Sequence, residues 1–165
     1  MHDCSSMIMD KVMHIEKVLF LDIDGVLNIE DGKRGSNHID KGMVMRLNKV
    51  LSETGAKVVI SSTWRCSMTK EEIDLHLRGC GFIGDIVGMT ADNDKSRFAQ
   101  ISDWMDENWA DDFVILDDID VFSHMRNIPA FVRIADKHFF RTDKLVGLTD
   151  EIADRMIARL NATIG

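Results

Sequence analysis

The chain is poor in cysteine, has a single proline, Pro129, lacks any long apolar run and carries no net positive charge. Cys4, Cys66 and Cys80 are odd in number and form no paired motif, so neither a disulfide framework nor a zinc site is expected. Such thiols suit a reducing cytoplasm. The longest apolar run, Val18 to Leu21, is strand-sized, whereas a bilayer span needs roughly 18 apolar residues, so membrane insertion is not expected. A formal net charge of −8 repels polyphosphates and anionic membranes, which makes long nucleic acid a poor partner and confines any such contact to a local basic patch. His38, His76, His124 and His138 share no metal-ligand spacing and are read as surface or structural histidines. No internal repeat, low-complexity tract or Gly/Ser-rich linker marks a domain boundary.

What is present is an ordinary globular composition, 45% apolar and 29% charged. The 165 residues are enough for one core that buries roughly two-thirds of the surface of the unfolded chain. Residues 1–15 hold apolar side chains but no signal-peptide pattern and are read as a flexible or loosely docked extension. Residues 16–165 are read as a single domain.

Short apolar runs alternate with amphipathic stretches, which predicts an α/β fold with a parallel sheet covered by helices. Lys17 to Ile23 reads as a first strand buried on both faces. A helix follows from Asp40, its N-cap, with Met43, Leu47, Val50 and Leu51 at helical spacing and Gly55 just past its end. Lys57 to Ile60 is a second strand. Thr69 and Glu72 form a capping-box pattern for a helix ending near Gly79. Ile86 to Met89 supplies a third strand, Ser96 caps a helix carrying Phe98, Ile101, Trp104 and Met105, and Phe113 to Leu116 is the fourth strand. A fifth strand is expected at Phe131 to Ile134 and a last helix from Thr149.

Three strand ends then present polar groups: Asp22 and Asp24, Ser61 to Arg65, and Asp117 with Asp118. In an open parallel sheet these ends converge on the crevice where ligands bind. Crowded carboxylates repel unless protonated or joined by a cation, and hard oxygen ligands in modest number suit Mg2+. Adding Lys95 and the Ser61 hydroxyl makes a pocket suited to a phosphoryl group, whose spread charge needs positive and hydrogen-bonding partners. Trp64 is read as a packing residue and Cys66 as an inert packed thiol.

Leu19-Phe20-Leu21-Asp22-Ile23-Asp24-Gly25-Val26-Leu27 resembles the first signature of the haloacid dehalogenase (HAD) superfamily. Val58-Val59-Ile60-Ser61 is similar to its second, Lys95 or Arg97 to its third, and Val114-Ile115-Leu116-Asp117-Asp118 to its fourth. The resemblance implies a three-layer Rossmann-like sheet and a phosphatase in which Asp22 attacks phosphorus to form an aspartyl-phosphate while Asp24 acts as general acid and then base. It implies Mg2+ held by the Asp22 carboxylate, the Asp24 main-chain carbonyl and Asp118, with Asp117 a water-mediated partner. Ser61 and Lys95 would bind the phosphoryl oxygens, Lys95 being preferred because a compact ammonium can bridge aspartate and phosphate, with Arg97 the alternative.

Ile60-Ser61-Ser62-Thr63-Trp64-Arg65, then Arg97 with Ile101 and Trp104, and Val146-Gly147-Leu148-Thr149 resemble a narrower set, small HAD domains of phages and bacteria, some associated with RNA repair. Ser62, Thr63, Arg65 and Arg97 are accordingly candidates for substrate binding. Of the two gaps where family caps are inserted, Leu27 to Asp40 is a short loop and Thr63 to Lys95 is consumed by a helix and a strand, so a capless enzyme is expected, open to a nucleotide or short nucleic-acid end, with Lys33 or Arg34 as further contacts. The alternatives are a phosphotransferase, a small-metabolite phosphatase, or a catalytically silent phosphate- or nucleic-acid-binding module.

Overall fold

The computed structural model describes residues 14–33, 38–120 and 137–162. Five parallel strands form one sheet in the order β3-β2-β1-β4-β5. They are β1 (His14–Leu21), β2 (Lys57–Ile60), β3 (Ile86–Met89), β4 (Trp109–Asp117) and β5 (Phe139–Arg141). The helices are α1 (Lys41–Thr54), α2 (Lys70–Gly79), α3 (Arg97–Glu107) and α4 (Asp150–Asn161), with a 3-10 turn at Thr63–Cys66.

Alternation along the strands divides the core in two. Leu19, Leu21, Val58, Ile60, Val114 and Leu116 pack beneath α1, α2 and α4, whose Leu47, Leu51, Ile73, Leu77, Met156 and Leu160 are buried. Val18, Phe20, Val59, Phe113 and Ile115 face the other way, against Phe98, Ile101 and Trp104 of α3. The result is the expected three-layer α/β fold. Val18 to Leu21 are all fully buried, and each large apolar side chain so placed contributes about 1.5–3 kcal/mol. The centre of the sheet, where the site is built, is thus its most firmly held part.

Helix starts follow the local chemistry of the sequence. Asp40 accepts from Met43 N, Thr69 and Glu72 complete the capping box, and Ser96 and Thr149 cap α3 and α4. Gly55 ends α1 in the left-handed conformation, φ 75°. Two strands are longer than their apolar runs. β1 begins at His14, inside the stretch read as an extension, and β4 begins at Trp109, because these ends pair outside the core, His14 with Trp109 and Lys17 with Asp112. The strand expected at 131–134, together with Arg34, His124 and residues 1–13, lies outside the described residues. The strand beside β4 is found at 139–141, where only Phe140 is buried.

Among the described residues no further element stands over the carboxyl edge of the sheet. The chain from Ser61 to Ser96 is used up by the 3-10 turn, α2 and β3. No described helix is long and apolar enough to cross a membrane.

Candidate active site

The sheet continues one hydrogen bond beyond its strands. Asp22 N donates to Leu116 O, Ser61 N to Leu21 O, Thr90 N to Ile60 O and Thr142 N to Asp117 O, each at 3.0 Å. This sets Asp22, Ser61, Thr90 and Thr142 in a row along the carboxyl edge, on either side of the point where the strand order reverses, the usual ligand crevice of such sheets.

Asp22 is 4% exposed and Asp117 fully buried. Together with half-buried Asp118 they bring carboxylate oxygens within 4.8 Å of one another. The cation beside them is Arg97, whose Nη1 lies 2.8 Å from Asp117 Oδ2 and 3.3 Å from Asp22 Oδ1. Asp117 Oδ1 accepts from Ile119 N. One guanidinium does not balance three carboxylates. Burial first, then Asp117, raises the Asp22 carboxyl to about 9 against the pull of Arg97. Asp118 is also raised, chiefly by burial. Burial works against the charge on Arg97 as well, but Asp117 and Asp22 outweigh it and its proton is held more firmly. A buried, all-oxygen set with this excess of negative charge fits a hard divalent cation. The Ser61 hydroxyl, fully buried beside Asp22, has no hydrogen-bond partner in the protein, which suits a donor reserved for a ligand oxygen.

Asp24 stands apart from this cluster. Its Oδ2 accepts from Trp64 Nε1 at 3.0 Å and its Oδ1 from Asn28 Nδ2 at 2.9 Å. Asn28 Oδ1 in turn accepts from Gly25 N at 2.8 Å. Gly25 has φ 78°, and a Cβ there would collide with the Asp118 carboxylate, so the turn that separates Asp24 from the acidic cluster requires glycine.

The structure departs from the sequence reading in several places. Lys95 is exposed and paired with Asp103 at 2.7 Å; Arg97 takes the place expected for it. Lys95 precedes the Ser96 cap, whereas Arg97 is the first helical residue, and helical side chains lean back toward the N-terminus. Arg65, a candidate for substrate binding, spends all five of its N–H donors on the protein: the carbonyls of Ser61, Ser62, Thr90 and Ala91 and the Gln100 side chain. Ser62 is fully buried and its hydroxyl caps the 3-10 turn by accepting from Trp64 N, so it too faces inward; Thr63 is exposed. Cys66, expected to be packed, is exposed, with its thiol 3.3 Å from Asp92 Oδ1. Trp64 is buried as expected, yet also holds Asp24. Asn28 had no distinguishing signal in the sequence.

A cavity of about 520 Å³ opens beside Asp118, lined by Arg141, Thr142, Asp143 and Lys144. Thr142 Oγ1 donates to Gly25 O at 2.8 Å, joining this wall to the turn after β1. Arg141 and Lys144 are exposed at its rim.

Residues 18–153 match the family model described as the HAD domain in Swiss Army Knife RNA repair proteins. No curated protein matches the chain. A solved structure from Legionella pneumophila, described as a HAD superfamily (subfamily III A) hydrolase, is similar at a TM-score of 0.39 and 18% identity, over 96% of this chain and 93% of that one.

Proposed function

The chain belongs to the family of HAD domains in Swiss Army Knife RNA repair proteins, and from that premise we propose that it is a Mg2+-dependent phosphomonoester hydrolase working through an aspartyl-phosphate. The observation that carries this reading is the buried Asp22 carboxylate, set at a strand end between Arg97, Asp117 and Asp118.

In the first half-reaction an Asp22 oxygen attacks phosphorus as the bond from phosphorus to the leaving oxygen breaks, and Asp24 gives its proton to that oxygen. In the second, water attacks the same phosphorus, Asp24 takes its proton, and the bond to Asp22 breaks to release inorganic phosphate. Arg97 and the free Ser61 hydroxyl are placed to bind phosphoryl oxygens, and to do so more strongly as charge develops. Asp22 and Asp118, with the Asp24 carbonyl, would hold Mg2+; when bound it would offset negative charge on the transferring group. Asp117 keeps Arg97 in place.

We further propose an accessible phosphate end, on a nucleotide or short oligonucleotide, as substrate. Among the described residues none closes over the site as a cap, and on this reading affinity comes from contacts beyond the phosphate. The cavity rimmed by Arg141 and Lys144, next to Asp118, is large enough to take them. With a net charge of −8, contact is confined to a few nucleotides and weakens with salt. The test is specific activity with Mg2+ on a 3′- or 5′-phosphorylated oligonucleotide, a nucleoside monophosphate and a hexose phosphate at matched concentrations. The phosphorylated end should be preferred; a tenfold advantage for the hexose phosphate would point instead to a small-metabolite phosphatase.

A further inference from the structure

The two carboxylates that follow β1 are held by different chemistry. Asp22 lies among other charges, whereas both oxygens of Asp24 are held by neutral donors from outside the acidic cluster. An indole N–H can only donate, so Trp64 orients Asp24 Oδ2 without exchanging a proton with it. The Asn28 amide is fixed as well, because its oxygen accepts from Gly25 N and only its nitrogen can then face Asp24. Each carboxyl oxygen has two lone-pair directions and gives one to these donors, which leaves the other free for a proton or a substrate atom.

Trp64 is 6% exposed and packs in a T-shaped pair with His76, ring centroids 5.3 Å apart. Its 3-10 turn is capped by Ser62 and tied by Arg65 to Thr90 O, Ala91 O and Gln100. The indole is therefore tied to the frame of β2, β3 and α3. Asp24 itself remains partly exposed, so it is tethered without being sealed off.

We propose that Trp64 and Asn28 are positioning residues that hold the Asp24 carboxyl in the one orientation from which it serves the leaving oxygen and then the water. This rests on the acid–base role of Asp24 given above. A purely structural role, stapling two loops, would affect every substrate alike. Positioning of an acid affects only substrates whose leaving group needs a proton as its bond to phosphorus breaks.

The experiment compares kcat/KM for an alkyl phosphate, a poor leaving group, with that for 2,4-dinitrophenyl phosphate, which departs as a stable phenolate. Because kcat/KM covers only the steps through departure of the leaving group, the later water step does not intrude. Trp64→Phe keeps the ring and removes the donor. It should lower kcat/KM on the alkyl phosphate by roughly 10- to 100-fold, in the range expected when a catalytic group is misplaced by about 1 Å, through kcat with KM within about threefold. On dinitrophenyl phosphate the fall should stay below about threefold. Asn28→Asp, which keeps the acceptor for Gly25 N and removes the donor to Asp24, should give the same pattern. Equal losses on both substrates, including those of a variant that does not fold, or no loss on either, would overturn the proposal. Asp24→Asn is the reference: if it shows no leaving-group selectivity, the acid–base reading of Asp24 fails, whereas selectivity there but not in Trp64→Phe or Asn28→Asp defeats the positioning role alone.

Discussion

Replacing Arg65 by Met separates a structural arginine from a substrate clamp. The Arg65 guanidinium meets four backbone carbonyls and the Gln100 amide oxygen at 2.6–3.2 Å. A net hydrogen bond contributes about 0.5–1.5 kcal/mol, so at about 1 kcal/mol each the five together contribute about 5 kcal/mol. Two reductions apply. The side chain is only partly buried, so water can replace some of the lost partners, and burial already works against its charge and lowers its pKa. A cost of about 3 kcal/mol remains. At a urea m-value of about 2 kcal/mol/M this lowers the unfolding midpoint by roughly 1.5 M. Arg65→Lys should lose most of the same stability, because three donors on one nitrogen cannot span the fan of acceptors. Urea unfolding followed by circular dichroism measures both variants, with m unchanged. A midpoint within about 0.2 M of wild type, joined to a raised KM, would refute the reasoning and return Arg65 to phosphate binding.

Arg97→Ala should lower kcat/KM by about 10²–10³, the usual effect of removing a donor from a developing anion, whereas Lys95→Ala should change it less than twofold; steady-state kinetics on one phosphomonoester decides, and the reverse order would restore Lys95. Asp118→Ala should weaken Mg2+ binding more than Asp117→Ala, since Asp117 is committed to Arg97 and Ile119 N; equal affinities in calorimetric titration would contradict this. Metal-free protein should lose stability as pH rises, because Asp22 keeps its proton to about 9 when folded against 3.8 as its ordinary value. Between those limits the unfolded chain binds fewer protons at this residue, so the contribution of Asp22 is complete below the lower value and is lost progressively as pH climbs toward the higher. Urea melts in chelator at pH 5 and pH 8 should show this as a difference between wild type and Asp22→Asn, and identical pH dependence in the two would refute it.

The fold was legible wherever burial and local chemistry coincide. Val18 to Leu21, Val58 to Ile60 and Val114 to Leu116 are apolar runs because they are covered on both faces, and Asp40, Thr69, Ser96 and Thr149 announce their helices by capping them. The polar beginnings of β1 and β4 were not legible, since their pairing lies outside the core and leaves no apolar trace. At the site, Asp22, Asp117 and Asp118 could be placed together from strand ends alone. The choice between Lys95 and Arg97 could not, because it turns on which side of the Ser96 cap the residue stands and on the direction of a side chain. The partners of Arg65 and Trp64 were not legible for the same reason: a motif names residues but not what their donors reach. Arg65, a candidate for substrate binding, holds the loop, and Trp64 packs in the core while also holding Asp24.

Covalent chemistry at Asp22 is tested most directly by trapping it. The enzyme, mixed with Mg2+ and a phosphomonoester during turnover, is quenched in acid, and its mass and peptides are measured. The account predicts one added phosphoryl group, confined to the peptide containing Asp22, absent from Asp22→Asn and from samples held in chelator. A phosphoryl group on any other residue, or full turnover by Asp22→Asn, would contradict it.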